Sequence, residues 1–171
     1  MTVTPKLLVR DATPDDVPFV LAMIKELAAY EREPDAVRST EASLREHLFG
    51  DHATRGLRVE AIVGEVDSVP QGAAIFFQNF STWSGGTGLY LEDLYVRPEA
   101  RRLGLGRSML LHLARLAHRR GCRRFEWAVL DWNTPAQDFY AALGAREMTG
   151  WHIWRLGPEA LAALAQRPDR A

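Results

Sequence analysis

The stretch Leu89-Tyr90-Leu91-Glu92-Asp93-Leu94-Tyr95-Val96, followed by Arg97-Pro98-Glu99-Ala100-Arg101-Arg102-Leu103-Gly104-Leu105-Gly106, decides how this chain folds. Its first half, rich in Leu, Tyr and Val, reads as a strand. Its second half is basic and carries two glycines. A helix is expected to open near Gly106 and pass through Leu110, Leu113, Ala114 and Ala117 to a stop at Gly121. A strand that feeds a helix N-terminus through a glycine turn builds an anion site. The first amides of a helix have no intrahelical partner, its N-terminal dipole end is positive, and glycine permits close approach. Arg101, Arg102 and Arg107 add charge suited to a multiply charged anion.

Upstream, Leu7–Arg10 reads as a short strand entering Thr13-Pro14-Asp15-Asp16, a helix start with proline and acids in the first turn. Val17, Val20, Leu21, Ile24, Leu27 and Ala28 then repeat at helical spacing to about Tyr30. A second helix is expected from a cap at Thr40 to Gly50. Leu57–Val66 and Gly72–Phe80 read as strands joined by a turn around Asp67–Gln71, with a glycine-rich loop at Ser81–Gly88. Downstream, Arg124–Leu130, Ala145–Thr149 and Trp151–Leu156 are expected strands. Asn133 caps a short helix bearing Phe139, Tyr140 and Leu143, and Pro158–Ala165 forms a terminal helix. Early strands followed by alternating strands and helices predict an α/β fold, a mixed sheet with helices on both faces. No repeat, low-complexity run or linker interrupts residues 1–171, which read as a single domain.

The net charge of -1 over 171 residues conceals a segregation. Residues 1–96 carry a balance of -7, residues 97–124 one of +8, and residues 125–171 one of -2. Such a split points to two ligands of opposite sign, one polyanionic and one cationic. A chain this close to neutral lacks the strongly basic character of nucleic-acid-binding domains. No stretch approaches the length of a membrane span, and the N-terminus turns acidic where a signal peptide would be apolar. A lone cysteine, Cys122, fits a reduced, cytoplasmic protein, and the five histidines have no metal-ligand spacing.

Two phosphate motifs fail against the residues. A Walker loop needs Gly-Lys-Ser/Thr, but Gly106 precedes Arg107-Ser108. A dinucleotide fingerprint needs a small residue where Met109 stands.

Arg101-x-x-Gly104-x-Gly106 after Tyr95-Val96 instead resembles the acetyl-CoA signature of the GNAT superfamily of N-acetyltransferases. Ile24-Lys25-Glu26-Leu27-Ala28, Leu89-Tyr90-Leu91-Glu92-Asp93, Trp132-Asn133, Phe139-Tyr140 and Leu143-Gly144-Ala145 are similar to its diamine (spermidine/spermine) acetyltransferase subfamily. The resemblance spans about Leu8 to Leu156 and implies a GNAT fold whose mixed, mostly antiparallel sheet splays to admit the coenzyme. It implies that the pantetheine arm pairs with Leu94, Tyr95 and Val96. The pyrophosphate would sit at Arg101, Arg102, Leu103, Gly104, Leu105, Gly106 and Arg107, with Asn133 also on the coenzyme. Tyr140 matches the family's general acid and Glu92 its base position. Leu27, Ala28, Glu92, Asp93, Glu126 and His152 match substrate-site positions, and no metal is implied.

The chemistry agrees with these roles. An amine of pKa roughly 10 is about one part in a thousand neutral at pH 7, a handicap of about 4 kcal/mol that a nearby carboxylate addresses. A phenol is able to protonate the departing thiolate. Glu92 and Asp93 are neighbours on a strand, so they face one substrate only if a bulge intervenes. The expected reaction is direct acetyl transfer from acetyl-CoA to a primary amine of a diamine, polyamine or lysine-like amino acid, in a homodimer. A non-catalytic acyl-CoA sensor and a peptide acetyltransferase are the alternatives. The segment Gly150-Trp151-His152-Ile153 lacks the acids that polyamine-acetylating members carry there.

Overall fold

A computed structural model describes residues 4–51, 56 and 58–167. The chain forms two compact units, residues 1–128 and 129–171.

In the first unit, β1 (Leu7–Asp11), α1 (Val17–Tyr30), α2 (Glu41–Phe49), β2 (Val59–Val66), β3 (Val69–Ser81), β4 (Gly86–Val96), α3 (Leu105–Arg119) and β5 (Arg124–Trp127) follow in order. They make one sheet of order β1-β2-β3-β4-β5. The first four strands pair antiparallel, and β4 pairs parallel with β5. The turn joining β2 to β3 is tight: Asp67 and Ser68 both hold positive φ, +50° and +67°, the handedness that matches strand twist.

Alternation divides the sheet's two faces. Ala61, Ala73, Ile75 and Tyr95 pack with Val17, Val20 and Met23 of α1 and Leu44 and Leu48 of α2. Gly64 and Gly72 face α3 instead. A Cβ built on Gly64 would lie 2.7 Å from the Met109 sulfur, and one on Gly72 would lie 2.9 Å from the Tyr95 carbonyl oxygen. Helices therefore cover both faces, as the sequence pattern predicts. The missing Cβ at Gly72 lets α3 settle onto the strands that hold its own N-terminus. Gly72→Val meets backbone that no rotamer change relieves, and is expected to cost about 1–3 kcal/mol in urea unfolding.

Ion pairs tie the layers together. Arg10 donates from Nε to Glu65 at 2.7 Å and from both terminal nitrogens to Asp16 at 2.7 and 2.8 Å. Asp16 also accepts from the Thr13 amide and hydroxyl, so the start of α1 is fastened to β1 and β2. The Arg10 guanidinium holds the Asp16 carboxyl down at about 2. Arg120 grips Glu60 with two bonds of 2.6 Å, and Arg97 grips Glu26.

Within the second unit, α4 (Thr134–Ala142) begins at an Asn133 cap and α5 (Pro158–Ala165) follows Gly157. Several sequence expectations are corrected. Helix α3 opens at Leu105, beside the expected Gly106, with Gly104 as its cap at φ +91°. The strand expected over 124–130 ends at Trp127. Residues 145–149 and 151–156 form no strand, and Trp151, Ile153 and Trp154 are exposed. An alternating pattern becomes a strand only against a paired backbone, and the described part of this unit contains no other strand. Strand β2 begins at Val59, and Leu57 lies outside the described residues.

Candidate active site

Register, rather than composition, shapes strand β4. Phe76 of β3 faces Leu91, but Ile75 faces Asp93, so Glu92 is an extra residue with no partner. This is a β-bulge at the position where the sequence needed one. Leu91 is on the α3 face with Phe76, whereas Asp93 joins Ile75 on the α1 face. Glu92 is exposed.

The bulge coincides with the end of the β4–β5 ladder. Parallel pairing runs from Gly88–Arg124 to Leu91–Trp127 and stops. From residue 92 to Val96, β4 keeps its antiparallel partner β3. On its other side, no described strand of the first unit pairs with it. Leu94, Tyr95 and Val96 thus offer a free backbone edge there, the arrangement needed by an extended amide-bearing arm.

Strand β4 runs through Pro98–Ala100, a single 3-10 turn, into the α3 N-terminus. Arg102 (φ +64°) and Gly104 (φ +91°) both hold left-handed backbone in this turn. A Cβ on Gly104 would meet only Leu7, at 3.7 Å. Arg102, Leu103, Gly104 and Arg107 are exposed, while Leu105 anchors the helix in the core. These residues fit a pyrophosphate. Arg101 is placed differently from what its charge suggests. Its guanidinium lies 5.2 Å from the Tyr30 ring and 5.5 Å from the Tyr95 ring, and its Nε donates to the Val96 carbonyl at 3.0 Å. Stacking fastens the loop to the end of α1, leaving the Arg101 main chain in the loop.

Beyond the bulge, Asp93 borders a slot of about 10 Å³ with Val20, Met23, Ile24, Leu27, Ala73, Ile75 and Tyr95. Burial pushes its carboxyl up to about 6, and the charges of Glu92 and Glu31 add to the effect. Glu31, just past the end of α1, is itself raised by burial. The sequence reading missed this residue. The apolar periodicity of α1 fades at Tyr30, and only the place where the helix ends against β4 reveals Glu31. Of the two neighbours it did name, Leu27 lines the slot and Ala28 does not.

Glu126 lies opposite Tyr90, before the bulge, and is already engaged. Arg124 approaches it at 3.2 Å and the Asn79 amide donates at 3.0 Å.

In the second unit, the Asn133 side-chain oxygen accepts from the Ala136 amide. Tyr140 packs its ring 5.1 Å from Phe139, and burial pushes its phenol up to about 12. His152 is exposed in the irregular segment. Among the described residues no cluster of metal-ligating side chains occurs, and no helix is long and apolar enough to cross a membrane.

Comparison with known proteins agrees with this geometry. Residues 21–145 match the acetyltransferase (GNAT) family. The chain is 40% identical over 167 residues to thialysine N-epsilon-acetyltransferase of Sus scrofa, covering 93% of this chain and 97% of that protein. It is 28% identical to L-ornithine N5-acetyltransferase NATA1 of Arabidopsis thaliana, covering 91% and 86%. Among solved structures, an integron cassette protein from the mobile metagenome of V. cholerae superposes with a TM-score of 0.76 at 23% identity, over 94% of this chain and 98% of that one. With a family model matching residues 21–145 and a relative 40% identical over nearly the whole length of both proteins, the chain belongs to the GNAT family and is an acetyl-CoA-dependent N-acetyltransferase.

Proposed function

We propose that this enzyme acetylates the terminal ammonium-bearing nitrogen of a small amino acid of the thialysine, ornithine or lysine type. One contrast carries the reading. Asp16, Glu26, Glu60 and Glu65 each have an arginine partner. The charges of Glu92 and Glu31 both act on Asp93, and the side chains of these three residues have no hydrogen-bonding or ion-pair partner among the described residues. Three carboxylates left without a cation, beside the free edge of β4, fit a cationic acceptor. The relatives named for thialysine and ornithine acetylation support the class.

In this reading the Leu94–Val96 edge and the amides of 102–107 hold acetyl-CoA, with Asn133 contributing. The carboxylates gather the ammonium and receive its proton, and Tyr140 protonates the departing sulfur. In this reading residues 1–171 are a single GNAT N-acetyltransferase domain. The resembled subfamily supplies the homodimer, and the single cysteine supports a cytoplasmic setting.

The test is CoA-thiol release from acetyl-CoA with thialysine, ornithine, lysine, putrescine, spermidine, an aminoglycoside and a short peptide. Thialysine or ornithine is expected to exceed spermidine at least tenfold in kcat/KM. Turnover confined to the peptide or the aminoglycoside would reject the proposal.

A further inference from the structure

A second polar constellation stands back along β4 from the bulge. Asn79, Gly88 and Arg124 are register partners across β3, β4 and β5, and Tyr90 and Glu126 form the next row. Before Leu91 the even-numbered side chains of β4 turn away from α3, so both rows share the face to which Asp93 turns. Gly88 is what lets the first row close. A Cβ there would lie 2.5 Å from the Asn79 Oδ1 and 3.0 Å from the Arg124 Nε, so both side chains cross the strand over bare backbone.

The bonding within this group is lopsided. Arg124 approaches the Glu126 Oε1 at 3.2 Å, and the Asn79 amide donates to the same oxygen at 3.0 Å. Oε2 has no partner among the described residues. The Asn79 Oδ1 is buried, and it too accepts nothing among them. A buried acceptor without a donor costs free energy that a bound donor recovers. The Arg124–Glu126 pair itself is loosely held, with each side chain 38% exposed.

Two unsatisfied acceptors beside a planar guanidinium match a ligand that carries both signs on one carbon. We propose that this constellation holds the head group of an α-amino acid: Arg124 takes the α-carboxylate, and the Glu126 Oε2 and Asn79 Oδ1 take the α-ammonium. This rests on the amine-acetylation reading above and assigns what holds the far end of the acceptor. The family resemblance points to Glu126 alone; Arg124 and Asn79 follow from the register.

The spacing along the strand suits such a ligand. The Tyr90–Glu126 row stands two residues from Glu92, about 7 Å along β4. The two nitrogens of an extended ornithine or lysine chain are separated by a similar span. The Tyr90 ring, 5.3 Å from that of Phe77, gives the intervening methylenes an apolar floor. Charge supplies the discrimination. A zwitterionic head gives each member of the ion pair a charge of the opposite sign, and the Arg124 fork matches a carboxylate with two parallel bonds. A diamine instead brings a second ammonium up to the Arg124 cation.

The experiment uses thialysine and ornithine as acceptors, each beside its methyl ester and the diamine left when its carboxyl group is removed. Wild type, Arg124→Met, Arg124→Lys and Asn79→Ala are compared at saturating acetyl-CoA. The wild type is expected to favour the free amino acids over their esters and diamines by about thirtyfold in kcat/KM. Arg124→Met should raise the amino-acid KM about thirtyfold with a much smaller change in kcat, and should raise kcat/KM on the diamines about threefold. Arg124→Lys should recover part of the loss. Asn79→Ala should raise KM about fivefold for amino acids and esters alike, because both keep the α-ammonium. An Arg124 that only holds β4 against β5 would shift all acceptors together and lower the melting temperature, which overturns the assignment. So does a wild type as active on the diamines as on the amino acids; in either case the amine reading stands. A wild type inactive on every one of these amines rejects the amine reading, and the head-group assignment falls with it.

Discussion

Replacing Tyr140 by phenylalanine is expected to lower kcat about a hundredfold or more and to leave the Kd for acetyl-CoA unchanged. Only the hydroxyl is lost, and the ring stays beside Phe139, so α4 keeps its packing. Burial holds the phenol at about 12, and it is therefore fully protonated wherever the enzyme works. In the reaction proposed above it would donate to sulfur rather than rest as a phenolate. Two consequences follow. Tyr140 contributes no alkaline limb to the rate profile below about pH 10. Its loss should be smaller with acyl donors whose leaving group is a more acidic thiol, because such a group departs without a proton. A kcat within threefold of wild type would remove Tyr140 from the reaction.

The second large effect concerns stability. Arg10→Met is expected to destabilise the fold by about 2–3 kcal/mol, at the low end for a broken buried pair because Arg10 keeps part of its guanidinium in water. The substitution leaves Asp16 and Glu65, both 8% exposed, without their cation and releases the start of α1. The pH dependence has a definite sign. The Asp16 carboxyl is lowered from 3.8 to about 2 on folding, so its contribution is complete above about pH 4 and disappears as the pH falls through 2. Urea midpoints measured between pH 7 and 2 should therefore fall steeply in the wild type over the last two pH units and less steeply in Arg10→Met. Parallel profiles for the two proteins would show that the pair contributes little.

Local chemistry explains why some features were readable and others were not. The caps at Thr40 and Asn133, the stop at Gly50 and the glycine turn before α3 depend on residues within a few positions of one another. Features fixed by distant residues were not readable. The bulge needs the β3 register, the stacking of Arg101 needs Tyr30 and Tyr95 side by side, and the engagement of Glu126 needs Asn79 from another strand. Residues 145–149 and 151–156 have strand-like sequences, but pattern alone supplies no hydrogen-bonding partner.

The extra residue in β4 works like a shift of reading frame in three dimensions. Up to Leu91, odd-numbered side chains are read toward α3; from Asp93 on, odd-numbered side chains are read toward α1. The strand thus carries two messages, one for the layer under α3 and one for the layer under α1, and Glu92 is the punctuation between them. Were the bulge lost with Glu92 still in the strand, Asp93 and Tyr95 would turn to the face where α3 packs; deleting Glu92 itself would leave them facing α1 and take away only the bulge.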